Sequence, residues 1–210
     1  MTAVILNLAP EQVILAMDTL AVTSETKSPF FFTTKFYPLA HLHGVMFATG
    51  LGDFATQWFV KLDRFIARDI HSLDEYVTPE LKELGKQYGV SPEMTVTIYH
   101  VGYSELEGRY LGFKYSSMND FQSERLGYGL ITKPGIQNAK IESYPDGFIR
   151  VMEQQRTEDS ALVLPERACI GGEIQCLLLH NKITTIQTVH RFDDYERLYE
   201  QMCDALPRQA

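Results

Sequence analysis

Two β-rich runs open the chain, Thr2 to Leu8 and Gln12 to Thr19, with Ala9-Pro10-Glu11 between them. Side chains of a strand alternate between faces and Pro favours a turn, so this spacing predicts a tight antiparallel hairpin. A polar loop follows from Thr23 to Pro29. Phe30 to Leu39 predicts further strand, and Leu42 to Thr49 (LHGVMFAT) a short apolar strand that stops at Gly50-Leu51-Gly52. From Asp53 the period changes: Phe54, Trp58, Leu62, Phe65, Ile66 and Ile70 recur at helical spacing, with Lys61, Asp63, Arg64 and Arg68 between them. A second helix is expected from Thr78 as N-cap, with Pro79 at the first helical position and Glu80 and Glu83 in its opening turns, ending near Gly89.

The pattern then returns to strands, Met94 to Tyr103 and Arg109 to Ser117, joined by a turn through Glu107-Gly108. Met118 to Asn138, punctuated by Gly127, Gly129, Pro134 and Gly135, reads as loops with one short strand. Asp146 to about Glu158 reads as a helix, Ile174 to Leu179 and Ile183 to His190 as a hairpin over His180-Asn181-Lys182, and Asp193 to Ala205 as a last helix. Asp193-Asp194 stands where an N-cap pair favours the helix dipole. This order predicts two antiparallel sheets with helices packed outside them, a layered α+β domain.

At 210 residues with 45% hydrophobic content, residues 1–210 are long enough for one domain with a sizeable core. A net charge of −8 and the lack of any Lys/Arg run argue against nucleic acid as a partner. The three cysteines, Cys169, Cys176 and Cys203, are odd in number and show no CxxC spacing, so they read as reduced thiols of a cytoplasmic protein. Residues 1–22 carry Glu11 and Asp18 and no basic leader, and no apolar run reaches spanning length, so neither a signal peptide nor a membrane is expected. No cofactor is expected either. Without a GxxxxGK pattern, Gly52-Asp53 reads as a turn and helix start. His41 and His43 would share one face of a strand, but a zinc site needs three or four ligands, so no metal is assigned. Phe30-Phe31-Phe32 cannot all point inward from one strand, so at least one meets another subunit or a substrate.

One position carries candidate chemistry. A threonine at the N-terminus is nucleophile and base in one residue, because its hydroxyl attacks while its α-amine accepts the proton. That amine has a reference pKa of about 7.7 to 8.0, close to neutral pH. Thr2 gains such an amine once Met1 is removed, which a small second residue permits. An ammonium beside it would lower both pKa values, and a carboxylate would hold the ammonium in place. Lys35 and Asp18 are the candidates.

Thr2, Ala16-Met17-Asp18-Thr19, Lys35 in TTKFYPL, and Phe47-Ala48-Thr49-Gly50-Leu51-Gly52-Asp53 leading into a helix together resemble the proteasome and HslV type of N-terminal nucleophile hydrolase, in its bacterial proteasome-β-like branch. Asp18 stands sixteen positions after Thr2 and Thr49 fourteen after Lys35, the family register with one extra residue between Asp18 and Lys35. The resemblance is clear over roughly the first 70 residues. Near the end, Ile170-Gly171-Gly172-Glu173-Ile174 looks like the family's closing hairpin, in the HslV manner.

The resemblance implies a four-layer αββα sandwich and a self-assembling peptidase or amidohydrolase forming a ring or helical array, without specifying any ATPase partner. It implies Thr2 as nucleophile, Lys35 tuning it, Asp18 orienting Lys35, and a backbone N–H at Thr49 or Gly50 in the oxyanion hole. Three positions depart from the family. Thr49 replaces the first of two glycines. Gly127-Tyr128-Gly129 lacks the serine that steadies the amine, with Ser123 the nearest. Leu20 stands where an arginine often follows the aspartate. These departures keep open a second reading, a catalytically inactive assembly subunit; a third, an amidase for small molecules, differs from the peptidase only in substrate size.

Overall fold

The computed structural model describes residues 2–23, 25–90 and 94–205. The opening hairpin forms as its pattern dictates: β1 (Val4–Leu8) pairs antiparallel with β2 (Gln12–Asp18), with Val4 opposite Met17 and Leu8 opposite Val13. A break at Thr19 separates β2 from β3 (Leu20–Val22), which pairs with β4 (Pro29–Phe32) in a small sheet of its own. Then come β5 (Phe36–Leu39), β6 (Gly44–Thr49), α1 (Gly52–Leu62) and α2 (Ile70–Gln87). After them run β7 (Thr97–Ser104), β8 (Arg109–Ser116), β9 (Ser123–Arg125), β10 (Gly129–Lys133) and α3 (Asp146–Ser160). The hairpin of β11 (Glu173–His180) and β12 (Ile183–Arg191) precedes α4 (Tyr195–Ala205).

The strands form two five-stranded antiparallel sheets, in the orders β10-β1-β2-β11-β12 and β5-β6-β7-β8-β9. Strand alternation divides their side chains among three cores. Val4, Leu6 and Leu15 of the first sheet meet Val45, Phe47 and Val101 of the second. The alternate residues Met46 and Ala48 pack with Phe54 and Trp58 of α1 and with Leu73, Val77 and Leu81 of α2. On the first sheet, Ile5, Ile14 and Ala16 pack with Phe148, Val151 and Met152 of α3. Among the described residues no helix is long and apolar enough to cross a membrane.

Three elements differ from the sequence expectation. The first helix stops at Leu62, and Ile70 instead opens α2, whose N-cap is Asp69: its carboxylate accepts from Ser72 N while Ser72 Oγ accepts from Asp69 N. Pro79 therefore lies inside a helix and Thr78 caps nothing, its hydroxyl donating to Phe121 O. An interior proline costs about 3 kcal/mol, and the buried stripe Ile70, Leu73, Val77, Leu81 and Leu84 outweighs it. Second, Met118 to Asn138 holds two strands, β9 and β10, each closing an edge of a sheet. Third, His41 and His43 do not share a strand face. Ala40–Leu42 is a short 3-10 turn, and His43 is left-handed at φ +46° with Nδ1 against Lys182 O.

A buried histidine ties α1 to the second sheet. Trp58 Nε1 donates to His100 Nε2 at 2.9 Å, which leaves the proton of a neutral imidazole on Nδ1, an atom without a partner among the described residues. Burial alone pushes the His100 pKa down to about 3 from its ordinary 6.5. The unfolded chain binds this proton below about 6.5 and the folded chain only below about 3, so stability is lost as the pH falls through that window. His100→Gln keeps an acceptor for Trp58 and removes the titration. Its unfolding free energy, measured by urea titration, is expected to fall less steeply with acid, by about 1.4 kcal/mol per pH unit. Equal acid slopes in the two proteins would refute this role.

Candidate active site

Asp18 closes β2 at a point where three chain segments converge. Its carboxylate is 1% exposed and accepts from Ala3 N at 3.1 Å and from Gly171 N at 3.3 Å. Lys35, just before β5, donates to both of its oxygens at 2.9 Å. The same ammonium donates to Leu20 O at 2.6 Å. Its three N–H bonds thus have fixed acceptors, and what Lys35 offers its surroundings is a positive charge held in place. The neighbouring backbone is pinned in the same way: Thr19 N donates to Glu173 O, Thr33 N to Thr19 O, and Glu173 N to Thr19 Oγ1. Close packing there requires glycine at 172, which has φ +79° and where a Cβ would come within 2.4 Å of Thr19 Oγ1.

Above this pair lies a cleft of about 520 Å³. Thr2, Lys35, Thr49 and Gly50 all line it, so four of the five expected site residues meet at one cavity and the fifth, Asp18, holds Lys35 from below. Thr2 is partly buried and leads directly into β1. Met1, whose removal the sequence reading requires, lies outside the described residues. Gly50 makes the strand-to-helix turn at φ +109°, where a Cβ would sit 2.2 Å from Thr95 O, so no other residue fits. Phe30 and Phe31 stand at the rim, 62% and 44% exposed, while Phe32 turns in to stack on Tyr195.

Ser123 does not join the site, because its hydroxyl donates to Asp74 on α2. A residue that the sequence reading passed over does join it. Lys133, the last residue of β10, lies opposite Val4 in the β1 pairing and donates to Thr49 Oγ1 at 2.7 Å and to Thr97 Oγ1 at 3.4 Å. Burial, with a smaller repulsion from Lys114, holds its pKa below the ordinary lysine value. No local signal marks it, because its partner Thr49 is 84 positions away in sequence. Among the described residues no group of three or more His, Cys, Asp or Glu side chains is placed to hold a metal ion.

The arrangement places a hydroxyl, a fixed ammonium and the Thr49–Gly50 turn around one cavity. Such a set can generate a nucleophile and stabilise an oxyanion. No protein-family model matches the chain, and no curated protein sequence matches it. Among solved structures, Anbu (ancestral beta-subunit) from Yersinia bercovieri is similar with a TM-score of 0.60 over 100% of this chain and 99% of that chain, at 13% identity. A likeness at that identity is one of fold, and the chain has an α+β, proteasome-β-like fold.

Proposed function

We propose that the chain, taken as a single domain over 1–210, is a self-assembling N-terminal threonine hydrolase that cleaves peptide or amide bonds. The observation that carries this reading is the Asp18–Lys35 pair beneath a cleft that Thr2 shares with Thr49 and Gly50. The three cores support a helix–sheet–sheet–helix order, a four-layer αββα sandwich, and in this reading the cleft beside Thr2 admits the substrate.

With Met1 removed, the Thr2 α-amine takes the hydroxyl proton as Oγ1 bonds to the carbonyl carbon. The carbonyl electron pair moves to oxygen, which the Thr49–Gly50 turn receives. Collapse of this intermediate breaks the C–N bond, and the amine leaves with the proton held by the α-ammonium. Water then attacks the ester, releasing the acid and restoring Thr2. Throughout, the Lys35 charge favours the deprotonated form of the nucleophile.

Self-assembly into a ring or helical array draws support from two exposed features. Phe30 and Phe31 present aromatic surface, and β12 is an edge strand of nine residues, largely exposed, with Ile183 and Ile186 on its surface. An inactive assembly subunit is the second reading, favoured by Thr49 at the position of a family glycine. An amidase for small molecules differs from the first only in substrate size, and an ATPase partner is left open.

The test is the intact mass of the protein from its native host, before and after exposure to an epoxyketone or a β-lactone. The expected result is the loss of one methionine residue and an adduct on Thr2. A retained Met1 with no adduct would establish the inactive-subunit reading instead.

A further inference from the structure

One departure from the family pattern meets a partly buried cation. Thr49 adds a side chain where the resemblance expects glycine, and Lys133 reaches from the other sheet to bind that side chain. Thr49 shares the parity of Val45 and Phe47 along β6, so its hydroxyl projects into the layer between the sheets. Lys133 lies opposite Val4 on β10, and Val4 stands two positions along the chain from Thr2. Among the described residues no carboxylate lies within 4.0 Å of the Lys133 ammonium, so its charge is not cancelled by an ion pair. Its acceptors are two neutral threonine hydroxyls.

The direction of this hydrogen bond matters. An ammonium has only protons to donate, so Thr49 Oγ1 is the acceptor and the Thr49 proton remains free for another group. Among the described residues the Thr49 hydroxyl donates to nothing. A hydroxyl that accepts from a cation is polarised and becomes a stronger donor in its turn. It belongs to a residue that lines the cleft beside Thr2.

We propose that Lys133 and Thr49 form a donor pair at the oxyanion turn, in which the Lys133 ammonium binds Thr49 Oγ1 and the Thr49 O–H donates to the carbonyl oxygen that becomes negative as Thr2 attacks. No proton is transferred: the hydroxyl contributes a hydrogen bond that strengthens as charge develops. Thr49 touches the reacting oxygen, and Lys133 acts through it as a positioning residue. The inference rests on Thr2 being the nucleophile. It also gives the missing family glycine a reason, since a buried threonine needs a partner and a half-buried lysine needs an acceptor. Burial and Lys114 hold the Lys133 pKa below the ordinary value.

The test follows acylation of the full chain by a β-lactone, read by intact mass over a range of concentrations. Thr49→Val and Lys133→Met are each expected to lower the limiting acylation rate by about 10- to 100-fold with little change in half-saturating concentration, as loss of a donor used only in the transition state requires. The double variant is expected to be no slower than the slower single variant. Thr49→Ser, which restores a hydroxyl without the methyl group, recovers most of the rate and guards against misfolding of the valine variant. Acylation of Thr49→Val and Lys133→Met at the wild-type rate, even with lowered melting temperatures, would overturn the donor pair and leave Lys133 as a tie between the sheets. Failure of the wild type itself to react would overturn the nucleophile reading, and the donor role with it.

Discussion

Replacing Thr2 by Ala is expected to abolish acylation by an epoxyketone or β-lactone, together with any amide hydrolysis, while leaving the fold and assembly intact. The cleft contains other hydroxyls, on Thr33, Thr34, Thr49 and Thr56, but none of these residues can carry its own free α-amine. Loss of a nucleophile that acts with a base as one unit lowers turnover by about 10⁶-fold in a hydrolase, so the residual rate falls to background. Stability changes little, because Thr2 precedes β1 and the buried hairpin begins beyond it. Surface-type substitutions of this sort cost within about 0.5 kcal/mol. A mass spectrum in which the Thr2→Ala protein still gains the adduct would show that another residue reacts.

Asp18→Ala is expected to cost about 3–5 kcal/mol of unfolding free energy, the range for removing one partner of a buried ion pair. The Lys35 side chain, only 10% exposed, would keep a positive charge with Leu20 O as its remaining acceptor. The Ala3 and Gly171 N–H groups would lose their acceptor as well. Urea titration measures the loss. The double variant Asp18→Ala/Lys35→Met should be more stable than Asp18→Ala alone, because the uncompensated charge is gone. A loss below about 1 kcal/mol would place the pair with solvent-screened surface bridges and remove the reason for a fixed charge beneath the cleft.

How much of this was legible in the sequence depended on distance along the chain. Asp18 and Lys35 were readable because each sits at the end or start of a strand in a short, ordered run, and the hairpin from Thr2 to Asp18 fixes their approach. The helix over Ile70–Gln87 was misread because Pro79 is a local start signal, whereas the buried stripe running past it is a tertiary effect. Between Met118 and Asn138 the sequence offers one short strand where the fold has two, because β9 is only three residues long and β10 starts at Gly129 and stops at Pro134. β10 is stabilised by its pairing with β1, more than a hundred positions away.

Local pattern thus settled what each segment can become: alternating or continuous apolar runs make strands and the 3.6-residue stripe makes α1. Those properties arise from neighbours a few residues apart, which a linear chain displays directly. Folding settled which side chains share a cavity. Lys133 meets Thr49 only because the two sheets close over one another, and Ser123 leaves the site only because Asp74 on α2 captures it. Such contacts join residues dozens of positions apart, and burial rather than spacing selects them.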